Sequence, residues 1–457
     1  MKLRPYPEYK DSGVAWVLKI PVHWSIRRNG TLFAQRNETN WPDLPILEVS
    51  LKTGVTVRNL DNLARKQMMS DRSLYKRAAR GDLAYNMMRM WQGAVGVVPQ
   101  DGLVSPAYVV VRPYSHAVPK FYEYQFRMAA YKAEVDGYSR GIVKDRNRLY
   151  WEDFKRIPSL FPKYEEQTQI ARFLDWKTAQ IDRFIRNKRR LIELLKEKKQ
   201  ALINQAVTGR IDVRTGKPYP EYKDSGVPWL GKVPAGWNIK RLKFLCRNVN
   251  QQTSEKAPDE AYIALENVES WTGRITFPDG EITFDSLVKK FKPGDILFGK
   301  LRPYLAKVTR PSMSGVCVGE FLVLRIMSDD LLGEFLEYKL RSNQIINLVN
   351  SSTYGAKMPR ADWTFIGNIR FSYPSRKEQE AIVSFIQHIS KSIDTAITGT
   401  QRETDLMQEY RTRLISDVVT GKLDVRGVVV PDFEKQVEDV TTPDDSEIPA
   451  CDHEAMA

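Results

Sequence analysis

Cysteine and histidine are scarce, at three and four in 457 residues. Cys246, Cys317 and Cys451 share no metal-ligand spacing and suggest no disulfide framework, so free buried thiols are expected. His23, His116, His388 and His453 stand singly, which offers neither a metal cluster nor an evident base for a nucleophile. No apolar run reaches the roughly 18 residues of a membrane span, and MKLRPYPEYK lacks the apolar core of a signal peptide, so a cytoplasmic protein is expected. Pro-Pro does not occur, which excludes the Asn/Asp-Pro-Pro-Tyr/Phe loop of amino-methylating enzymes. Every Gly-Lys is followed by Pro, Val or Leu, so no loop of the Walker A type cradles a triphosphate. Pro278-Asp279-Gly280-Glu281 has the flavour of a nuclease motif, but no Asp/Glu-x-Lys follows at a suitable distance, and a turn explains it better. The sequence contains no recognisable active site.

What it does contain is itself, twice. PYPEYKDSGV at residues 5–14 returns letter for letter at 218–227. At the same offset of 213, Trp16, Pro21 and Trp24 fall on Trp229, Pro234 and Trp237, and Gly81-Asp82-Leu83 on Gly294-Asp295-Ile296. Further along, at 212, Trp151 falls on Trp363, Gln167 on Gln379, Ile181-Asp182 on Ile393-Asp394, and VTGRIDVR at 207–214 on VTGKLDVR at 419–426. A period this long suits a duplicated domain with its connector rather than a solenoid unit. Between the halves the text reads VTGRIDVRTGKPYPEYKDSGV, and joining the two ends of the chain would recreate that junction. The repeat is therefore cyclic, the termini are expected close in space, and a closed two-fold arrangement within one chain follows.

Composition is that of a globular protein, with 42% hydrophobic and 28% charged residues. Net charge is +14, yet the stretch after Arg426 carries nine carboxylates against Lys435. That tail is −8 and reads as disordered, which leaves +22 on residues 1–426 (+14 less −8). A body so basic points to a polyanionic partner.

Each half divides alike. Short apolar runs bounded by turn residues (PILEVSL, GDLAYNMM, GAVGVVP and AYVVVRP, then AYIALENV, GDILFGKL, LAKVTR and EFLVLRI) read as strands of a mixed domain. FYEYQFRMAAYKAEV and GEFLEYKLRSNQIINLV are helical at matching places. The expected fold is α+β, with mixed domains over about 21–162 and 234–374, each followed by a long charged helix. Apolar residues recur through the first helix at Ile170, Leu174, Ile181, Ile185, Ile192, Leu195 and Leu202. In the second they recur at Ile382, Ile386, Ile389, Ile393, Ala396, Met407, Leu414 and Val418. A helix of about 40 residues, roughly 60 Å at 1.5 Å per residue, is not stable alone with an exposed apolar seam. An antiparallel coiled coil of the two is expected, a dimerisation coil between chains or a lone amphipathic helix being the alternatives. The segments are then 1–162, a helical region 163–208, a second junction and domain 209–374, a helical region 375–420, and a C-terminal segment 421–457.

Basic and aromatic residues cluster in the presumed loops. Lys300, Arg302 and Tyr304 follow the GDILF strand, and Thr353, Tyr354, Lys357 and Arg360 precede Trp363. Their counterparts are Asn86 and Arg89, then Ser139, Arg140, Lys144 and Arg146. Lys52, Thr53 and Asn267 complete the candidate DNA-binding set. Arg and Lys at strand ends can form bidentate contacts to guanine or grip phosphate, and Asn suits adenine edges. For any single residue a solvated basic surface is the alternative. The tips disagree between halves, GDLAYNMMRMWQG against GDILFGKLRPYLA, as two readers of different short sequences would.

The doubled PYPEYKDSGV head with its two tryptophans, the GD[LI] strand, the Glu-Gln helix openings (Glu166-Gln167, Glu378-Gln379) and VTG[RK][IL]DVR resemble the specificity subunit of type I restriction-modification systems. The resemblance covers residues 1 to about 426 and leaves the acidic tail outside. It implies two target-recognition domains reading a bipartite site in double-stranded DNA, with two helical regions as the ruler between them. It also implies two modification subunits, bringing S-adenosylmethionine and adenine-N6 chemistry, and two restriction subunits with ATP and Mg2+. No catalytic residue, metal or cofactor is expected on this chain itself. The basic run from Lys188 to Lys199 can face those partners, DNA or solvent. The rival readings are a coiled-coil scaffold that binds nucleic acid without sequence choice, and a self-sufficient DNA-modifying enzyme.

Overall fold

The structure, a computed structural model, describes residues 3–58, 72–141, 147–277, 286–355 and 357–431. The nuclease-like tetrapeptide at 278–281, Cys451 and the acidic tail beyond 431 lie outside the described residues. The chain forms two compact units, Met1–Arg186 with Asp405–Ala457, and Asn187–Thr404.

In the first unit an antiparallel sheet runs Phe33–Arg36, Tyr108–Pro113, Leu83–Asn86, Val95–Val97, with Val110 paired to Arg36 on one side and Ala84 on the other. In the second, Cys246–Val249, Phe321–Ile326, Ile296–Gly299 and Val308–Thr309 follow the same order, with Val323 paired to Val249 and Leu297. Val110 and Val323 are 213 apart, so the repeat extends to strand register. Each sheet buries a face rich in β-branched and aromatic side chains against helices, Phe121, Phe126 and Tyr131 in one unit and Phe335, Leu336 and Ile345 in the other. The stretches read as single helices are broken in two. Pro119–Arg127 is separated from Ala129–Tyr138 by extended Met128, and Gly333–Leu340 from Asn343–Ser351 by extended Ser342, whose side chain accepts from Ile345 N.

The repeated motifs hold this frame. Gln167 is fully buried; its Oε1 accepts from Val118 N at 2.9 Å, and its Nε2 donates to Pro162 O at 2.8 Å and His116 O at 3.2 Å. Gln379 makes the same three bonds to Leu332 N, Pro374 O and Asp330 O. In the GD motif, Asp82 and Asp295 each accept from a backbone N–H three residues back and from an arginine, Arg36 or Arg325. Tyr6 and Tyr219 donate to Glu166 and Glu378, each at 2.6 Å. Burial, and then the Glu166 hydrogen bond, push the Tyr6 hydroxyl above its ordinary range, so it stays a donor.

The cyclic character of the repeat is physical. In the second unit Asp212 bridges Lys217 across the unbroken junction; in the first, Asp424 bridges Arg4, closing the same turn from the two ends of the chain. Gly421 has φ +74°, and a Cβ there would lie 2.6 Å from Pro21 Cδ. Gly209 meets Pro234 in the same way.

Two long helices, Tyr164–Thr208 and Arg376–Val419, run through both units. In the first unit Ile170, Leu174, Ile181 and Ile185 share a core with Leu414 and Val418, and Arg411 pairs with Asp182. In the second, Ile203, Ala206 and Val207 share one with Ile382 and Ile386, and Lys199 pairs with Asp394 at 2.7 Å. Early residues of one helix meet late residues of the other in both cases, which is antiparallel coiled-coil packing. The seam departs from expectation at Ala396, which is exposed; it passes instead through Ile397, Thr400 and Thr404. Those threonines are buried because each hydroxyl donates to the carbonyl four residues back, Ala396 O or Thr400 O. Among the described residues no helix is long and apolar enough to cross a membrane.

Candidate nucleic-acid interface

In each unit a central strand runs out into a loop, and a second loop from later in the sequence is stitched to it. In the second unit Ile296–Gly299 continues through Lys300 to Tyr304. Ala361 N donates to Lys300 O at 2.9 Å, Arg302 N donates to Pro359 O at 2.8 Å, and Tyr354 and Arg360 bridge each other across a turn. Lys300, Arg302, Tyr304, Tyr354, Lys357 and Arg360 thus belong to one ledge. In the first unit Leu83–Asn86 continues through Arg89 to Trp91, Leu149 N donates to Met87 O at 2.9 Å, and Arg140 bridges Arg148. The bond from Ala361 N to Lys300 O and the one from Leu149 N to Met87 O fall on equivalent residues, so this tie is part of the duplicated frame.

The tips differ in backbone as well as sequence. Arg302 is left-handed at φ +50° and Ala306 at φ +48°, flanking the turn at Pro303–Leu305. Two non-glycine residues in that region cost of order 1 kcal/mol each and persist where their surroundings dictate them. Here the Pro359 carbonyl, which accepts from Arg302 N, is part of that dictation. Arg89, the counterpart of Arg302, has φ −127° and precedes a glycine-capped turn in which Trp91 Nε1 donates to Met88 O at 3.0 Å. Both arginines are exposed, as are Tyr304, Tyr354 and Lys357.

The remaining candidates divide by what their side chains already hold. Asn86 Oδ1 accepts from Met88 N at 2.9 Å and shapes the first tip. Ser139 and Thr353 hydroxyls donate to Val135 O and Asn350 O, each at 2.8 Å, at helix ends. Arg140 pairs with buried Asp153, and Arg360 forks onto Glu320 at 3.0 and 3.3 Å. Lys52 and Thr53 lie exposed on a separate hairpin tied by Arg127, which donates to Lys52 O at 2.8 Å. Asn267 is a correction: it is buried, its Oδ1 accepting from Ala264 N at 2.7 Å, so it builds a turn. Lys144 and Arg146 lie outside the described residues.

Arg148 was missed by sequence reasoning. It is exposed on the first ledge, and the signal was available, since it lies 212 before Arg360. Within the basic helical run, Lys188 and Lys199 pair with Glu403 and Asp394 across the helix seam. Among the described residues no group of three or more His, Cys, Asp or Glu side chains is placed to hold a metal ion. Burial pushes the Cys246 and Cys317 thiols up to about 12, so both are inert.

Each of the two mixed α+β units takes part of both long helices and carries a basic and aromatic ledge at a strand end. The fold is that of type I restriction-modification specificity subunits: the HsdS subunit from Thermoanaerobacter tengcongensis superposes with a TM-score of 0.55 at 18% identity, covering 91% of this chain and all of that one. A second chain, from work on complex assembly and conformational transition of the type I R-M system, superposes at 0.62 with 15% identity over 88% of this chain and 99% of its own. No family model matches. In sequence the chain is similar to the type I restriction enzyme EcoDI specificity subunit of Escherichia coli, 24% identical over 258 residues, which are 53% of this chain and 57% of that protein. It is also similar to the MjaVIII specificity subunit of Methanocaldococcus jannaschii, 22% identical over 329 residues, 67% and 70% of the two chains. The chain therefore spans little more than half the length of the first of these relatives.

Proposed function

We propose that this chain is the DNA sequence-specificity subunit of a type I restriction-modification complex. Each unit reads one half of a bipartite duplex site, and the long helices set the spacer between the halves. The chain recruits two modification subunits, which carry S-adenosylmethionine and methylate adenine N6, and two restriction subunits, which use ATP and Mg2+. It contributes no catalytic group of its own and works in the cytoplasm, where its DNA is. The observation that carries this reading is a duplicated frame, repeated in strand register and in the Gln167 and Gln379 hydrogen bonds, that presents two different ledges. Identical scaffolds with unlike tips are what reading two unlike half-sites requires, and the +22 body supplies the sequence-independent phosphate attraction.

The test is selection from a random duplex pool by the chain together with a modification subunit. A retained motif of two short parts with a fixed gap is expected. A retained pool with no common motif would replace this reading with a scaffold that binds nucleic acid indiscriminately, and methyl transfer by the chain alone would replace it with an enzyme.

A further inference from the structure

The two ledges are not electrostatically equivalent, and one position decides what becomes of a shared arginine. In the second unit Lys300 N donates to Glu320 O at 2.9 Å; in the first, Met87 N donates to Ala107 O at 3.3 Å. These pairs coincide at the offset of 213, so Ala107 stands where Glu320 stands. Glu320 receives the Arg360 guanidinium through two nitrogens, in a side-on fork that satisfies both carboxylate oxygens. Arg148, the counterpart of Arg360, has Ala107 at the position corresponding to Glu320, is exposed, and has no hydrogen-bond or ion-pair partner for its guanidinium among the described residues. The backbones of both arginines are held by antiparallel bridges, Arg148 to Arg140 and Arg360 to Tyr354 and Leu301.

Resting on the function proposed above, we propose that Arg148 is a DNA-contacting, specificity-determining residue of the first unit. Arg360 is a positioning residue, its charge spent on Glu320 to brace the ledge from which Arg302 projects. Among the described residues the first ledge then offers two free guanidiniums, Arg89 and Arg148, and the second offers one, Arg302. A guanidinium left unpaired at a strand-end ledge is the group best suited to the paired acceptors of guanine or to a phosphate. One already forked onto a carboxylate has surrendered that geometry.

Random-pool selection and salt-dependent duplex binding, with the full chain and a modification subunit, test this on four variants. Arg148→Ala should weaken binding roughly 5- to 150-fold and relax a position in one half of the motif only. Ala107→Glu, which installs the missing carboxylate, should reproduce that effect without deleting the arginine. Arg360→Ala should leave every position of the other half readable, and Glu320→Ala should add a contact there. Coincident thermal unfolding of variants and wild type controls for folding. Arg148→Ala and Ala107→Glu variants that select the wild-type motif at wild-type affinity and salt slope would overturn the inference while leaving the bipartite reading intact. A wild-type chain that selects no two-part motif would overturn both.

Discussion

Gln167 and Gln379 show how much one side chain can organise in this protein. Each ties three backbone groups of two segments together at the entrance to a long helix, and each bond contributes about 1 kcal/mol net while leaving it unmade costs more. Trp24 and Trp237 show how the copies drift. Trp237 Nε1 donates to Glu378 at 3.0 Å, whereas the equivalent Glu166 is taken by His23 and Tyr6, leaving buried Trp24 Nε1 without a partner among the described residues. Lys339 is the most consequential single group. It is fully buried, donates to Val207 O at 2.7 Å near the end of the first long helix, and is pushed down to about 7 by burial. Between that value and the ordinary lysine pKa near 10.4, the unfolded chain holds a proton that the folded chain does not. Stability therefore rises with pH across this window, by about 1.4 kcal/mol per unit, and below about pH 7 the folded state bears the full cost of a buried charge. Lys339→Met should flatten that rise when urea unfolding is compared at about pH 7.5 and about pH 9.5. Equal slopes in the two proteins would mean that the amine stays charged inside.

At the scale of elements the long helices are the clearest case of pattern becoming structure. The isoleucine and leucine seam was legible at Ile181, Ile185, Ile386 and Leu414, because apolar residues three and four apart align on one face. It was misread at Ala396, because Thr400 and Thr404 look polar in sequence and satisfy their hydroxyls within their own helix. Burial and charge divide the energetics. Leu414→Ala should cost about 2–4 kcal/mol in an unfolding titration, since the cavity sits in the core of the first unit. Lys199→Ala, which removes the pair with Asp394, should cost less than about 1 kcal/mol, because that carboxylate is 56% exposed and the pair is screened. Comparable losses in the two variants would show the helices to be held by their ion pairs.

For the whole molecule the duplication makes modularity a physical expectation. Replacing residues 234–374 with the corresponding domain of a related chain should change one half of the selected DNA motif and leave the other half and the gap as they were. Since the exchange leaves both long helices in place, a change in all three would mean that the units do not read independently. The frame was legible because motif residues such as Gly421, Gln379 and Asp295 are constrained by close approach and buried hydrogen bonds, which only those side chains satisfy. The ledges were legible as clusters but not as contacts: Arg360 and Arg140 looked equivalent to Arg302 in the sequence, and only the fold places carboxylates against the first two.

The sequence by itself determined that there are two copies of one cyclic design, that long amphipathic helices join them, and that the body is strongly basic, since repetition, periodicity and charge are properties of residue order. The tertiary structure alone decided which cations remain free. A guanidinium is neutralised by a carboxylate brought to it through strand pairing and loop stitching, and nothing in the spacing of Glu320 and Arg360, forty residues apart, announces that they meet.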